Sequence, residues 1–411
     1  MPRPGQDALE WKETLFDLVP QWTRDPSIAV IESVCRQQLH ISPKGSCSVT
    51  FHASGLFNKL YLVKCTGGPL IMRVSLPVYP RHKTRAEIGY EWILVEFMAG
   101  TPAHRRWRTM PMDQKAALTK RIAAFQMELA GIGLAGKAAS GFRGIGTLVL
   151  RDAGQNNNME ETAMAVPGLG VSPAFFVGDR LRYAVPRGPF RSSHDWLSAE
   201  LTIVILHQTA LLEKAEDEDD KEDVEEIISA ARKLLSLLPK IFPPTLDRPE
   251  ITGLYHHDLH LNNILVDEQG GITAVLDWEC VSALPLWMLT QVPKFIDGPL
   301  REEEPQRDSY ADETPEEAAA AAEERNNPDY LDNEGKNELY FIHKMEYEVT
   351  QLRKTYEARL RELWPERPLE ESSVKNDFFQ AVSQCDGIWV KETRRWADCL
   401  ERGETVRFED A

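Results

Sequence analysis

The feature that most limits the folds open to this chain is a change of hydrophobic period part-way along it. From Cys47 to Val74 the runs SVTFHASGLFNKLYLV and PLIMRVSL are rich in β-branched and aromatic residues. They are broken at Ser54-Gly55 and at Gly67-Gly68-Pro69, which predicts a β-meander. A fourth β-rich run, Trp92 to Met98, stops at Ala99-Gly100-Thr101-Pro102. Beyond it the reading is mostly helical, beginning with Met112 to Ala130, where Ala117, Leu118, Ile122, Phe125 and Leu129 fall on one face. Strands gathered at one end and helices at the other imply an α+β chain. It has a small β-rich part over residues 1–100 and a larger helical part over 101–411. From Asp7 to Gln38 apolar residues recur at three-to-four spacing, so the first part is expected to begin with one or two amphipathic helices.

Composition narrows the function classes. The chain has 411 residues, enough for two to three domain-sized units at roughly 150 residues each. With 47 Lys+Arg against 64 Asp+Glu its net charge is −17, which repels phosphate backbones and anionic lipid. No nucleic-acid or membrane partner is therefore expected, and a cationic small substrate suits the charge better. The six cysteines include no C-x-x-C pair, which argues against a zinc module and against a secreted disulfide framework. No apolar stretch approaches the 18 or so residues of a membrane span, and prolines and acids stand where a secretory signal would have its apolar run, so a cytoplasmic protein is expected. Two acidic segments, 213–226 and 302–334, read as solvated insertions.

The chemistry is concentrated in Tyr255 to Glu279, YHHDLHLNNILVDEQGGITAVLDWE. His256, Asp258 and Asn263 follow the pattern H-x-D-x-x-x-x-N. Two short apolar runs around Gly270-Gly271 predict a hairpin, so Asp258 and Asn263 enter it while Asp277 leaves it at the same end. Phosphoryl transfer needs such a set. One carboxylate orients the acceptor hydroxyl and takes its proton, while an amide oxygen and a second carboxylate hold Mg²⁺ against nucleotide phosphates. Asp258 is the expected base, and Asn263 and Asp277 the expected metal ligands. The plainer alternative is that these residues only cap turns. The cluster His256, His257 and His260 also allows a metal-hydrolase reading, but one histidine bracing the loop accounts for the pattern, and His257 and His260 read as packing or solvent-facing residues.

This stretch resembles the catalytic loop of the aminoglycoside phosphotransferase and choline-kinase-like families, in their fungal branch, within the protein-kinase-like fold. HHDLHLNNIL followed by LDWE carries the resemblance, which extends over most of Val49 to Trp287. It implies a two-lobed protein with a small β-rich nucleotide-binding lobe and a large, mainly helical one, and ATP and Mg²⁺ as cofactors. His256 and Asp258 would be catalytic. Ser54, Gly55 and Asn58 would lie in the nucleotide loop, Arg73 in the place of the phosphate-binding lysine, and Glu96 and Met98 on the strand leading to the hinge. Arg187 to Phe190 and Asp195 to Leu197 also resemble a segment of such relatives. Arg73 read without the resemblance is equally well a surface strand charge.

One departure bears on activity. The family would carry a helix with an acidic partner and a further strand between Thr84 and Trp92, where this chain has seven residues, with Glu87 readable either as the remnant of that partner or as a turn residue. A shortened lobe with one sheet face open to water is expected. The leading reading is an ATP-dependent kinase of a small hydroxyl-bearing, amine-containing molecule; the second is a kinase-like binding module with impaired turnover. Glu279 and Trp278 are the candidates for holding a substrate ammonium. Asp386 to Trp389 could also line the acceptor site, although Trp389 and Trp396 read better as core residues of a C-terminal helix.

Overall fold

The computed structural model describes every residue except 1–7, 14–17, 79–87, 132–140, 152–163, 171, 176, 245–246, 279–280, 311–313, 317–318, 320–337, 368 and 411. The chain divides into two compact units, Met1–Met98 with Ser172–Ala184, and Ala99–Val171 with Val185–Ala411.

The first unit opens with a hairpin, β1 (Leu9–Glu13) and β2 (Leu18–Trp22), followed by helix α1 (Ile28–Gln38). Helix was expected from Asp7 onward, and here the structure differs. β1 and β2 pair antiparallel from Leu9↔Trp22 to Glu13↔Leu18, with Pro20 opposite Trp11. A proline removes a helix donor and clashes with the preceding turn, so Pro20 and Pro26 confine the helix to the residues beyond Ser27. Next comes the expected meander, an antiparallel sheet of β3 (Cys47–Ser54), β4 (Asn58–Cys65), β5 (Gly68–Ser75) and β6 (Glu91–Glu96) in sequence order.

Alternate residues Val49, Tyr61, Val63, Met72 and Val74 turn to one face of this sheet and pack against Ile31, Val34 and Cys35 of α1. Ile88 and Tyr90 join the same core. The Tyr90 hydroxyl donates to the Arg24 carbonyl at 2.6 Å, and its ring meets Trp22 at 5.1 Å. That face of the sheet is therefore covered by α1 together with Ile88 and Tyr90, whereas Ile93 and Val95, on the opposite face, are 50% and 42% exposed. Glu87 and the rest of 79–87 lie outside the described residues.

The second unit carries, in chain order, β7 (Thr101–Pro102), α2 (Ala103–Trp107), α3 (Met112–Leu129), β8 (Phe142–Arg143), β9 (Gly146–Arg151), β10 (Met164–Pro167), α4 (Ser193–Leu212) and α5 (Glu218–Ile241). Then follow β11 (Ile251–Tyr255), β12 (Ile264–Val266), β13 (Ile272–Val275), β14 (Ser282–Pro285), α6 (Glu338–Leu363), α7 (Leu369–Gln384) and α8 (Val390–Glu401). Two antiparallel sheets, ordered β10-β9-β14-β11-β8 and β13-β12-β7, are held among the helices. Helix α3 has two working faces. Ala123 and Met127 pack on Leu352, Tyr356 and Leu360 of α6, while Leu118 and Ile122 pack on Ile264 and Val266 of β12.

The two acidic segments are less detached than expected. Asp217 caps α5 by accepting from the Asp219 N–H at 2.8 Å, and Glu218, Asp219 and Asp220 occupy its first turn, where the helix dipole favours acids. The start of the second segment docks on α6: Thr350 Oγ1 accepts from the Arg301 N–H at 2.7 Å, Tyr310 meets His343 at 2.6 Å, and Glu302 pairs with Lys354. Trp396 is buried against Phe378, whereas Trp389, expected in the core as well, stands at the N-cap of α8 with 52% of its surface exposed. No described helix is long and apolar enough to cross a membrane.

Candidate active site

The chemistry-bearing stretch forms one excursion from a sheet. β11 and β14 pair with Tyr255 opposite Ser282, so the residues entering and leaving the excursion are held side by side. Between them β12 and β13 form the expected hairpin, Ile264 opposite Val275. Its turn is fixed by Asp267, whose Oδ1 accepts from the N–H groups of Gln269 at 2.9 Å and Gly271 at 2.8 Å. Gly270 there has φ +80°, a conformation that favours glycine. Ile264, Leu265 and Val266 are all buried, which anchors the hairpin on α3. At the open end the Leu276 N–H donates to the Asn263 carbonyl at 2.7 Å.

Around that end the polar residues meet. Asn263 Nδ2 donates to the Asp258 carbonyl and to Asp258 Oδ2, each at 2.9 Å. The other carboxylate oxygen, Oδ1, lies 3.1 Å from His260 Nε2. His260 Nδ1 accepts from the Asn262 N–H at 3.1 Å, which leaves Nε2 as the ring nitrogen that faces Asp258. His260, which the sequence presents as a packing or solvent-facing residue, thus stands beside the candidate base. His257 is exposed, with its ring 5.1 Å from that of Tyr255.

His256 is 5% exposed and braces the loop. Its Nδ1 accepts from the Asp258 N–H at 3.2 Å, and Nε2 donates to the Leu276 carbonyl at 2.8 Å. Both ring nitrogens are engaged by backbone, so the geometry gives His256 the task of fixing Asp258 relative to the exit of β13. The hydrogen bonds of both His256 nitrogens and of His260 Nδ1 also use nitrogens that the metal-hydrolase reading required. Asp277, next in line, has φ +64°, a left-handed conformation that costs a non-glycine residue of order 1–3 kcal/mol and persists where neighbours hold it. Those neighbours are the bonded Leu276 and Trp278, whose Nε1 donates to the Val275 carbonyl at 2.8 Å. The Trp278 ring is 39% exposed and stands edge-on to His256 at 4.8 Å and to Phe125 of α3 at 5.9 Å. Glu279 lies outside the described residues.

The donor set suits a hard cation. Asn263 spends its Nδ2 on Asp258, which leaves its Oδ1 able to face a cation, and the Asp277 carboxylate follows at the exit of β13. Mg²⁺ takes few protein oxygens and completes its shell with water and phosphate. Among the described residues there is no group of three or more His, Cys, Asp or Glu arranged to hold a metal.

The remaining expected residues belong to the first unit. Arg73, in β5 between Leu60 and Ile93 on the neighbouring strands, is only 9% exposed, which removes the surface-charge reading. It lies on the sheet face opposite Met72 and Val74. Ser54, Gly55 and Asn58 make the β3–β4 turn: the Gly55 N–H donates to the Asn58 carbonyl at 2.9 Å, and Asn58 Oδ1 accepts from Ser75 Oγ at 2.7 Å. Apart from Gly55 and its two chain neighbours, no atom of the described residues lies within 4 Å of where a Cβ would stand there, so glycine leaves room for a close approach. Glu96 ends β6, and the first unit's main span ends at Met98.

Comparison with known proteins places the chain. Residues 66–288, over half of it, match the family model described as the phosphotransferase enzyme family. Among solved structures it is similar to aminoglycoside phosphotransferase APH(4)-Ia, at 14% identity, covering 92% of this chain and 100% of that one with a TM-score of 0.40. It is also similar to LicA in complex with AMP, at 11% identity, covering 90% of this chain and 96% of that one with a TM-score of 0.33. No curated protein sequence matches it significantly. The chain belongs to the phosphotransferase enzyme family, whose fold is protein-kinase-like.

Proposed function

We propose that this phosphotransferase uses ATP and Mg²⁺ to phosphorylate a hydroxyl of a small, amine-bearing molecule. The observation that supports the proposal is the open end of the β12–β13 hairpin, where Asn263 holds the braced Asp258 carboxylate and the chain leaves β13 through Asp277. Asp258 orients the acceptor hydroxyl and accepts its proton. Its side chain is 46% exposed while Oδ2 accepts from Asn263, so it is held in place and still accessible to an acceptor. Asn263 Oδ1 and Asp277 would hold Mg²⁺, which when bound compensates the charge on the transferring phosphate. Arg73 is the phosphate ligand of the first unit, where a guanidinium offers two parallel donors. The Ser54–Asn58 turn would approach the phosphates, with Glu96 and Met98 toward the base. An amine-bearing acceptor fits the net charge of −17 and the exposed indole of Trp278, a surface for a cation.

The test is transfer of labelled γ-phosphate from ATP to a panel of amino alcohols and aminosugars. Label in at least one acceptor, dependent on Mg²⁺, is expected. Firm binding of MgATP with no label in any acceptor and none released as phosphate would favour the binding-module reading.

A further inference from the structure

Three of the protein's thiols gather at one end of the first unit's sheet. Cys47 and Cys65 are directly opposed in the β3–β4 register, at the end of the ladder away from the Ser54–Asn58 turn. They share the face of Val49 and Val63, where Cys35 of α1 lies fully buried in the same core. All three are free, and Cys47 and Cys65 are half-buried, so small solutes can reach them. Directly opposed residues of an antiparallel pair have Cα atoms about 4.5–5.5 Å apart, and a disulfide spans about 4.4–6.8 Å. This pair can therefore be bridged with little backbone movement.

We propose that Cys47 and Cys65 form an oxidation site at which a peroxide makes a cross-strand disulfide. One thiolate attacks a peroxide oxygen: an S–O bond forms, the O–O bond breaks, and hydroxide leaves. The facing thiol, losing its proton, attacks the resulting sulfenic sulfur; the S–S bond forms and the S–O bond breaks with departure of water. Two thiols and one hydrogen peroxide give one disulfide and two waters, so the two electrons lost by sulfur are those that reduce the peroxide.

The surroundings set the partners and the rate. Cys35 takes no part, because its thiol is fully buried. Cys65 Sγ donates to the Gly68 carbonyl at 3.3 Å. Arg36 Nη2 donates to the Cys47 carbonyl at 3.3 Å. Burial keeps the Cys47 thiol above its ordinary range, with the Arg36 charge opposing. Oxidation is therefore slow in neutral buffer and faster in alkaline buffer. Once closed, the bond tethers β3 to β4 at the end opposite their turn.

The test treats the full-length protein with hydrogen peroxide and maps its peptides without reduction. A Cys47–Cys65 cross-linked peptide lighter by two hydrogens is expected. It should form faster in alkaline buffer and disappear on treatment with dithiothreitol, with Cys35 still a free thiol. Cys47→Ser and Cys65→Ser should each abolish it. A cross-link through Cys35, sulfinic or sulfonic acid at these positions without a cross-link, or no reaction under conditions that oxidise free glutathione would overturn the proposal. Mapping of the unmutated chain decides the matter even if a serine variant folds poorly.

Discussion

Asp258 has a different neighbour at each carboxylate oxygen, His260 at 3.1 Å from Oδ1 and Asn263 donating to Oδ2, and each neighbour is fixed by its own further bond. Asp258→Asn should lower the transfer rate by about 10²–10⁴ while leaving nucleotide affinity nearly unchanged, because the carboxylate acts on the acceptor. Steady-state kinetics beside a nucleotide titration checks this. His260→Ala removes the imidazole that stands 3.1 Å from Asp258 Oδ1 and should reduce kcat about tenfold, with partial recovery in His260→Gln. An unchanged kcat in the alanine variant would make His260 a bystander. The placing of Asp258, Asn263 and Asp277 about the ends of one hairpin could be read from the sequence, because two short apolar runs around a Gly-Gly turn fix which residues enter and leave it. That of His260 could not. Its pairing with a residue two places back depends on the loop turn in which the His260 N–H bonds the Asp258 carbonyl, and no residue spacing encodes that turn.

At the scale of elements, α1 is what completes the first unit's core. Ile31 is fully buried there, and Ile31→Ala should cost about 2–5 kcal/mol in a denaturant titration, with faster amide exchange across Tyr61 to Val74. Undiminished protection of those strands would mean that α1 only rests on the sheet. Cys35 gives a pH-dependent version of the test. Burial above all, with Cys47, Cys65 and Glu32 adding, pushes its thiol from 9.0 up to about 12. The folded chain thus holds this proton more tightly than the unfolded chain. The associated stability is complete below about pH 9 and is lost as pH rises toward 12. Cys35→Ala should therefore lose less melting temperature than the unmutated protein over that range; equal losses would show that this thiol does not titrate with unfolding. The meander was legible because β-branched and aromatic runs alternate between Gly and Pro breaks. The β1–β2 hairpin was not, since a few apolar residues fit either period, and the contact that matters, α1 on a sheet that follows it, lies far apart in sequence.

For the whole molecule, the separation of a β-rich part from a helical part was visible in the order of the two periods, and the family match covers the junction between them. That Ser172–Ala184 belongs with the first unit was not visible, because no local pattern marks a short segment that returns to an earlier unit. The net charge of −17 bears on the same scale: an acidic protein must gather local cationic and metal charge before it can hold a nucleotide triphosphate. The central claim, that the open end of the β12–β13 hairpin is a metal-dependent phosphotransfer site, is met most directly by calorimetric titration of ATP with and without Mg²⁺. The three proteins compared are the unmutated chain, Asp258→Asn and Asp277→Ala. The account expects Mg²⁺ to strengthen ATP binding in the first two and to have little effect in Asp277→Ala. Equal Mg²⁺ dependence in all three, or no ATP binding in any of them, would contradict it.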